Sequence, residues 1–144
     1  MDFSIDRERL AEHITNYPGM IEKCAAALTA ARSDTLKFED KLKQRKLTLA
    51  TEMRASPGEF GLAKSTEAAI SEAVETHPEV RRLAKMLMEA KHVEGEAFGD
   101  MDAARAHGQS LDLLAKIHGS LWFSNASLSG SDSSPRSRRM KDID

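Results

Sequence analysis

Residues 21–49 read IEKCAAALTAARSDTLKFEDKLKQRKLTL, and this stretch decides the fold. Sampling it at alternating steps of three and four residues returns mostly apolar or small side chains, namely Ile21, Cys24, Leu28, Ala31, Thr35, Phe38, Leu42 and Leu49. Such spacing aligns the side chains along one stripe of a helix and is typical of a coiled-coil seam. We therefore expect one long helix from Pro18 to Arg54, which must bury its stripe against another helix.

A second long helix is predicted from Pro78 to His118, where Val80, Leu83 and Leu87 begin a similar seam. The two helices are separated by a loop at residues 56–65, which contains the turn-forming residues Pro57, Gly58 and Gly61 and the apolar anchors Phe60 and Leu62. A short helix follows, capped by Ser65 or Thr66, and His77 before Pro78 predicts a break after it.

The chain is expected to divide into three parts. Residues 1–17 hold a short helix, from Asp6 to Thr15, which ends at Asn16-Tyr17-Pro18-Gly19. Residues 18–123 form the hairpin, with Leu121, Trp122 and Phe123 as a docked anchor, and the Ser/Arg-rich residues 124–144 are expected to be disordered. The predicted fold class is all-α: a long antiparallel helical hairpin with short flanking helices, which forms oligomers because apolar surface is left exposed.

Composition limits the functions available to the chain. Its 21 Lys and Arg against 23 Asp and Glu give a net charge of −2, so any contact with nucleic acid must be local. The single cysteine, Cys24, excludes an intrachain disulfide. The sequence contains no run of about 18 apolar residues and starts with charged residues, so we expect a cytoplasmic protein with no membrane contact.

Nothing in the sequence favours an enzyme. His92 and Glu96 lie one helical turn apart, but two ligands do not make a metal site. Glycine-rich phosphate loops follow a strand, and no strand is predicted. Cys24 falls on the seam, where a core thiol is expected rather than a nucleophile. We therefore expect no catalytic residue, no metal and no cofactor.

Residues 37–54, KFEDKLKQRKLTLATEMR, concentrate positive charge in a chain that is slightly acidic. A solvated helix face explains such a strip, and so does contact with a polyanion. Arg45 falls on the seam, where an unpaired guanidinium is costly, so either the seam opens there or Arg45 meets an anion. The candidate DNA-binding residues are Lys43 and Arg45 first, with Lys37, Lys41, Lys46, Arg54 and Lys64 around them.

Three segments resemble the phage recombination mediators of the UvsY type, across about residues 18–118. They are the basic pair in Lys43-Gln44-Arg45, the block STEAAISEAVETHPEV at residues 65–80, and DAARAHGQSL at residues 102–111. The chain departs from the family pattern after the basic pair. Where aromatic residues are expected it reads LATEMRASPG, and the Ser-rich tail has no counterpart.

The resemblance implies a function for the basic strip. It implies a ring-shaped homo-oligomer that binds single-stranded DNA and helps load a RecA-like recombinase onto strands coated by single-strand-binding protein, during phage recombination and repair. Binding would go mainly to phosphates and depend strongly on salt. Lys43 and Arg45 would make the leading contacts.

A helical structural or assembly protein with no DNA binding remains the alternative. The basic strip would then pair with an acidic face of a neighbouring subunit, for which the candidates are Glu94, Glu96, Asp100 and Asp102. A small regulator of another protein also stays open. Sequence-specific repression is disfavoured, because no helix-turn-helix with base-contact spacing is recognisable.

Overall fold

A computed structural model describes residues 9–129, with the side chains of residues 9–121. The described residues form three α-helices, α1 (Leu10–Ala55), α2 (Glu67–Thr76) and α3 (Pro78–Ser129), and a 3-10 turn at Pro57–Phe60 between α1 and α2. Every regular element within the described residues is helical, so the all-α prediction is confirmed.

Helices α1 and α3 pack side by side in opposite directions. Lys91 Nζ lies 3.0 Å from Glu39 Oε1, and Arg32 Nε lies 3.6 Å from Glu94 Oε1, so residue numbers rise along one helix as they fall along the other. The 46 residues of α1 give it a length of about 69 Å. We call the end that carries α2 the closed end and the opposite end the open end.

The main hydrophobic core lies at the closed end. Its buried members are Leu49, Met53, Ile70, Val74 and Val80, which come from all three helices. The predicted loop anchors Phe60 and Leu62 pack against this cluster. Gly61 ends the 3-10 turn with φ at 67°, a left-handed conformation that glycine adopts without steric cost.

The predicted boundaries of α2 are confirmed. Thr66 is the N-cap, and its Oγ1 accepts a hydrogen bond from the backbone N–H of Ala69 at 3.4 Å. His77 adopts an extended conformation, with φ −61° and ψ 134°, as expected of a residue before proline. Pro78 then starts α3, where its missing N–H has no helical partner to lose.

The predicted break at Asn16 to Gly19 is wrong, because α1 runs from Leu10 through Pro18 without interruption. The expected helix at residues 6–15 is therefore not a separate element where the structure describes it, and residues 1–8 lie outside the described part. A proline inside a helix costs about 3 kcal/mol or more. His13 and Tyr17, which precede Pro18, contact His107 of α3. Cys24, which follows the proline, is buried, so packing on both sides of it offsets this cost.

The predicted end of α3 at His118 is also wrong, since the helix continues to Ser129 and includes part of the tail expected to be disordered. Leu121 does not dock as predicted, because its side chain is 58% exposed. Tyr17 of α1 lies opposite Gly108 of α3. Because the helices are antiparallel, Leu121 of α3 lies beyond the level of Leu10, where α1 begins. The side chains of Trp122 and Phe123 and the tail at residues 130–144 lie outside the described residues.

Candidate nucleic-acid interface

The structure divides the predicted DNA-binding residues into two groups. Four of them, Lys37, Arg45, Lys46 and Arg54, form ion pairs with carboxylates of the same chain. Lys41, Lys43 and Lys64 are exposed and form no ion pair with a described residue. A paired cation is partly neutralised before any external anion arrives, so the two groups have different capacities to bind phosphate.

Arg45 meets its anions within the chain. Its side chain is 31% exposed, its Nε donates to a carboxylate oxygen of Glu79, and its Nη1 lies 3.6 Å from Glu52 Oε1. Glu79 belongs to the first turn of α3, and Glu52 lies seven residues further along α1. The guanidinium on the seam therefore links the two long helices at the closed end.

Two further pairs attach α2 to α1. Lys46 Nζ donates to Glu75 Oε1 at 2.6 Å, and Arg54 donates twice to the Glu67 carboxylate, at 3.0 and 2.9 Å. The hydrogen bonds from Arg54, together with its positive charge, lower the pKa of Glu67, and the same contacts raise the pKa of Arg54. Acidic residues of α2 thus pair with two of the seven predicted DNA-binding residues, Lys46 and Arg54.

Lys41 and Lys43 remain available on opposite flanks of α1. Leu42 between them packs against the core, so its neighbours one residue away on each side point to either side of the seam. Lys41 Nζ lies 5.6 Å from the centroid of the Phe38 ring. Both lysines are exposed.

Three cations that the sequence analysis missed lie at the same level of the hairpin. Arg81, Arg82 and Lys85 are in the first two turns of α3, are exposed, and have no ion pair with any residue of the described part of the chain. The contact of Arg45 with Glu79 sets these turns beside residues 41–45 of α1. We use the name basic belt for the five residues Lys41, Lys43, Arg81, Arg82 and Lys85.

The acidic face suggested for the alternative function is largely engaged within the chain. Glu94 pairs with Arg32, Glu96 lies 3.5 Å from His92, and Asp102 lies 3.5 Å from Arg105. Asp100 is exposed and has no such partner within residues 9–121. A neighbour's basic strip would therefore compete with partners that these carboxylates already have.

The cysteine and histidine side chains that could act as nucleophile or metal ligands lie where a packing role explains them. Cys24 is buried on the seam, as predicted for a core thiol. His107 is buried, and its ring centroid lies 5.8 Å from that of His13. The described residues contain no group of three or more potential metal ligands, so His92 and Glu96 stand as a pair. Nor does any described helix combine the length and apolar character needed to cross a membrane.

Several large apolar side chains face solvent on the outer sides of the hairpin. Leu47 is 62% exposed on α1 and Met88 is 71% exposed on α3, and the others on the two helices include Leu36, Phe98 and Leu113. Single exposed apolar residues are ordinary on a monomer. A series of them along two long helices provides surface that another subunit could cover.

The segments that carry the resemblance occupy distinct places in the fold. Residues 43–45 lie in α1 near the closed end, residues 65–80 form α2 with its cap and the start of α3, and residues 102–111 belong to α3 in the open half. Residues 102–111 contribute Ala104 and Leu111 to the buried side chains. No family model matches the chain, and no curated protein or solved structure matches it either.

Proposed function

We propose that the chain binds single-stranded DNA through the basic belt. In this proposal it acts as a recombination mediator that helps load a RecA-like recombinase onto strands coated by single-strand-binding protein. The observation that carries DNA binding is the belt itself: five exposed cations without ion pairs to described residues, on two helices, in a chain of net charge −2. The mediator role rests on the resemblance of the three segments.

The chemistry of the belt favours phosphate contacts. Lysine and arginine side chains in solvent exchange condensed counterions for the phosphates of a strand, which makes binding independent of sequence and dependent on salt. If all five cations each neutralise one phosphate, log K should fall with log salt with a slope of about −3.5, from about −0.7 per phosphate on single strands. Such contacts would position a strand without reading its bases.

The ion pairs revise the roles of the predicted contacts. Lys43 and Lys41 keep their proposed role as phosphate ligands on α1. Arg45, Lys46 and Arg54 are proposed instead to hold α2 and the start of α3 against α1, with Arg81, Arg82 and Lys85 at the level of the two lysines. Lys64 and Lys37 could widen the belt, Lys37 after releasing Asp34.

A homo-oligomer would make weak belts effective. One belt offers few contacts, but repetition around a closed assembly raises the effective concentration of the next belt for the same strand. The exposed apolar residues, such as Leu47 and Met88, would supply surface for contact between subunits. Weak individual contacts also allow a recombinase filament to take the strand over step by step.

The test is fluorescence anisotropy with a labelled single-stranded oligonucleotide across a salt series, repeated with a duplex of the same length. We expect binding at low salt that weakens steeply as salt rises, with a preference for the single strand. Absence of single-strand binding at low salt would contradict the proposal. Equal affinity for duplex would contradict the mediator role while leaving the belt as a phosphate-binding surface.

The assembly function is a second candidate, because of the exposed apolar side chains on both long helices. In that case the chain forms a defined oligomer, and DNA does not bind. Sedimentation velocity over a range of salt concentrations separates the two functions when it is read beside the anisotropy. A stable oligomer with no DNA binding supports assembly alone, whereas a monomer contradicts it.

A further inference from the structure

A shallow groove runs between α1 and α3 beside the basic belt. Its volume is about 200 Å³. The groove has a mainly apolar lining and two carboxylates, and its residues are Ala31, Asp34, Phe38, Met86, Glu89, Ala90 and Val93. It is open to solvent, since Val93 is 52% exposed.

We propose that the Phe38 end of this groove receives an unpaired nucleobase of a bound single strand, while Lys41 and Arg82 hold the adjoining phosphates. This inference rests on the proposed function, because it adds a base-binding subsite to the belt. Its ligand is an unpaired base in single-stranded nucleic acid. Phe38 would supply the stacking surface that the sequence lacks after Lys43-Gln44-Arg45.

The geometry places both cations on the groove side of the hairpin. Lys41 follows Phe38 by three residues, and its Nζ lies over the Phe38 ring at 5.6 Å from the centroid. Arg82 precedes Met86 by four residues, so the two share a face of α3 one turn apart. Phe38 and Met86 both line the groove. Apolar surface for a base and cations for its phosphates therefore meet at one end.

The Phe38 ring is suited to a planar ligand. The Phe38 side chain is half-buried and lines the open groove, while Lys41 is exposed, and a cation–π pair at such a surface site contributes little. When Lys41 turns to a phosphate, it uncovers the ring for a base. Stacking on an aromatic side chain tolerates any base, which agrees with a protein that binds without reading sequence.

The charges along the groove decide where the phosphates of the strand can lie. The carboxylates of the groove lie one helical turn beyond Phe38 and Met86: Asp34 is paired with Lys37 at 3.1 Å, and Glu89 has no ion pair with any residue described. Phosphates are therefore favoured beside Lys41 and Arg82 and disfavoured beside Asp34 and Glu89. An acidic peptide would face the same repulsion along the whole groove, whereas a base is uncharged where the lining is apolar.

The subsite would distinguish single strands from duplex. In a duplex each base is paired and stacked, so none can enter the groove without unpairing. The belt alone cannot make this distinction, because both forms of DNA present phosphates. Phe38 is thus a specificity residue, and the belt cations supply the phosphate contacts.

The test measures anisotropy across a salt series, from low to moderate salt, with two labelled oligonucleotides of equal length, one of thymidine nucleotides and one with abasic sites throughout. Phe38→Leu keeps apolar packing but removes the ring. Phe98→Leu is the matched control, because Phe98 is exposed on α3 and does not line the groove. Circular dichroism checks that both variants stay helical.

We expect the unchanged chain to bind the thymidine strand at least about fivefold more tightly than the abasic strand. Phe38→Leu should remove that difference without changing the salt slope, and Phe98→Leu should keep it. Equal discrimination by Phe38→Leu and the unchanged chain would overturn the subsite but leave the belt. If the unchanged chain binds the thymidine and abasic strands equally tightly, the subsite is likewise overturned and the belt is left. A chain that binds neither at low salt overturns both proposals.

Discussion

Tyr17 of α1 lies directly against Gly108 of α3, so that a Cβ at position 108 would come within 2.8 Å of Tyr17 Cε2. Glycine at this position therefore leaves room for the end of the Tyr17 ring against α3 near the open end. The contact lies one residue from Pro18, where the sequence predicted that α1 would break. The contact of Tyr17 with His107 before the proline and the burial of Cys24 after it keep the helix continuous there.

Gly108→Ala should lower the thermal midpoint of unfolding. Alanine gains up to about 1 kcal/mol in helix propensity, but overpacking against Tyr17 costs about 1–3 kcal/mol. Gly99→Ala is the control, because a Cβ there would meet nothing within 4 Å, and it should raise the midpoint. Equal stabilisation by the two variants in thermal denaturation would show that the Tyr17 ring does not occupy the space beside Gly108.

Leu49→Ala should be far more destabilising than Leu47→Ala. Leu49 is 1% exposed in the closed-end core, so truncation removes buried contacts and leaves a cavity, at about 2–5 kcal/mol. Leu47, two residues away, faces solvent, and its truncation should change the free energy of unfolding of the monomer by less than about 0.5 kcal/mol. Urea denaturation measures both, and similar losses would contradict the register of α1.

The carboxylate of Glu67 should titrate below the ordinary range for glutamate. Because its pKa is lowered in the folded state, its contribution to stability is present above the unfolded pKa, near about 4.3, and is lost as pH falls through the folded pKa. An NMR titration of the Glu67 side chain measures the shift. Arg54→Gln should raise the pKa of Glu67, and an unchanged value would exclude the bidentate contact.

Arg45→Ala and Lys43→Ala should differ in what they impair. Arg45→Ala deprives Glu79 and Glu52 of their partner and should lower stability by about 0.5–1 kcal/mol, as expected of a partly exposed pair. Lys43→Ala should leave stability unchanged and weaken DNA binding, because Lys43 has no ion pair with a described residue. Denaturation and anisotropy on both variants check this, and the reverse pattern would return Arg45 to the DNA-binding site.

The predictable features of the fold are those with local causes. Pro78 and the extended residue His77 before it predicted the break between α2 and α3, and the apolar spacing around Leu28 and Leu49 predicted α1 and its buried stripe. The continuation of α1 through Pro18 was not predictable in this way. It depends on packing against α3, and the sequence of neither helix alone predicts the register in which the two helices pair.

In the candidate site, too, contacts between residues far apart in the sequence were not predictable. The heptad spacing put Arg45 on the seam, where its guanidinium needs an anion, but it did not indicate that Glu79 would provide one. The basic belt was missed because Arg81 and Arg82, in VRRLAK at residues 80–85, lie about 40 residues from Lys41 along the chain. Only the antiparallel register brings them to the same level of the hairpin.

The most direct test of the central claim compares two double variants that change the net charge equally, from −2 to −4. Arg82→Gln with Lys85→Gln removes belt cations. Arg105→Gln with Lys116→Gln removes cations of the open half that already pair with Asp102 and Asp112. The measurement is the dependence of single-stranded DNA affinity on salt. The belt variant should bind more weakly, with a slope shallower by about 1.4, and the open-half variant should keep the slope of the unchanged chain. Equal losses in the two variants, or no loss in the belt variant, would contradict the proposed interface.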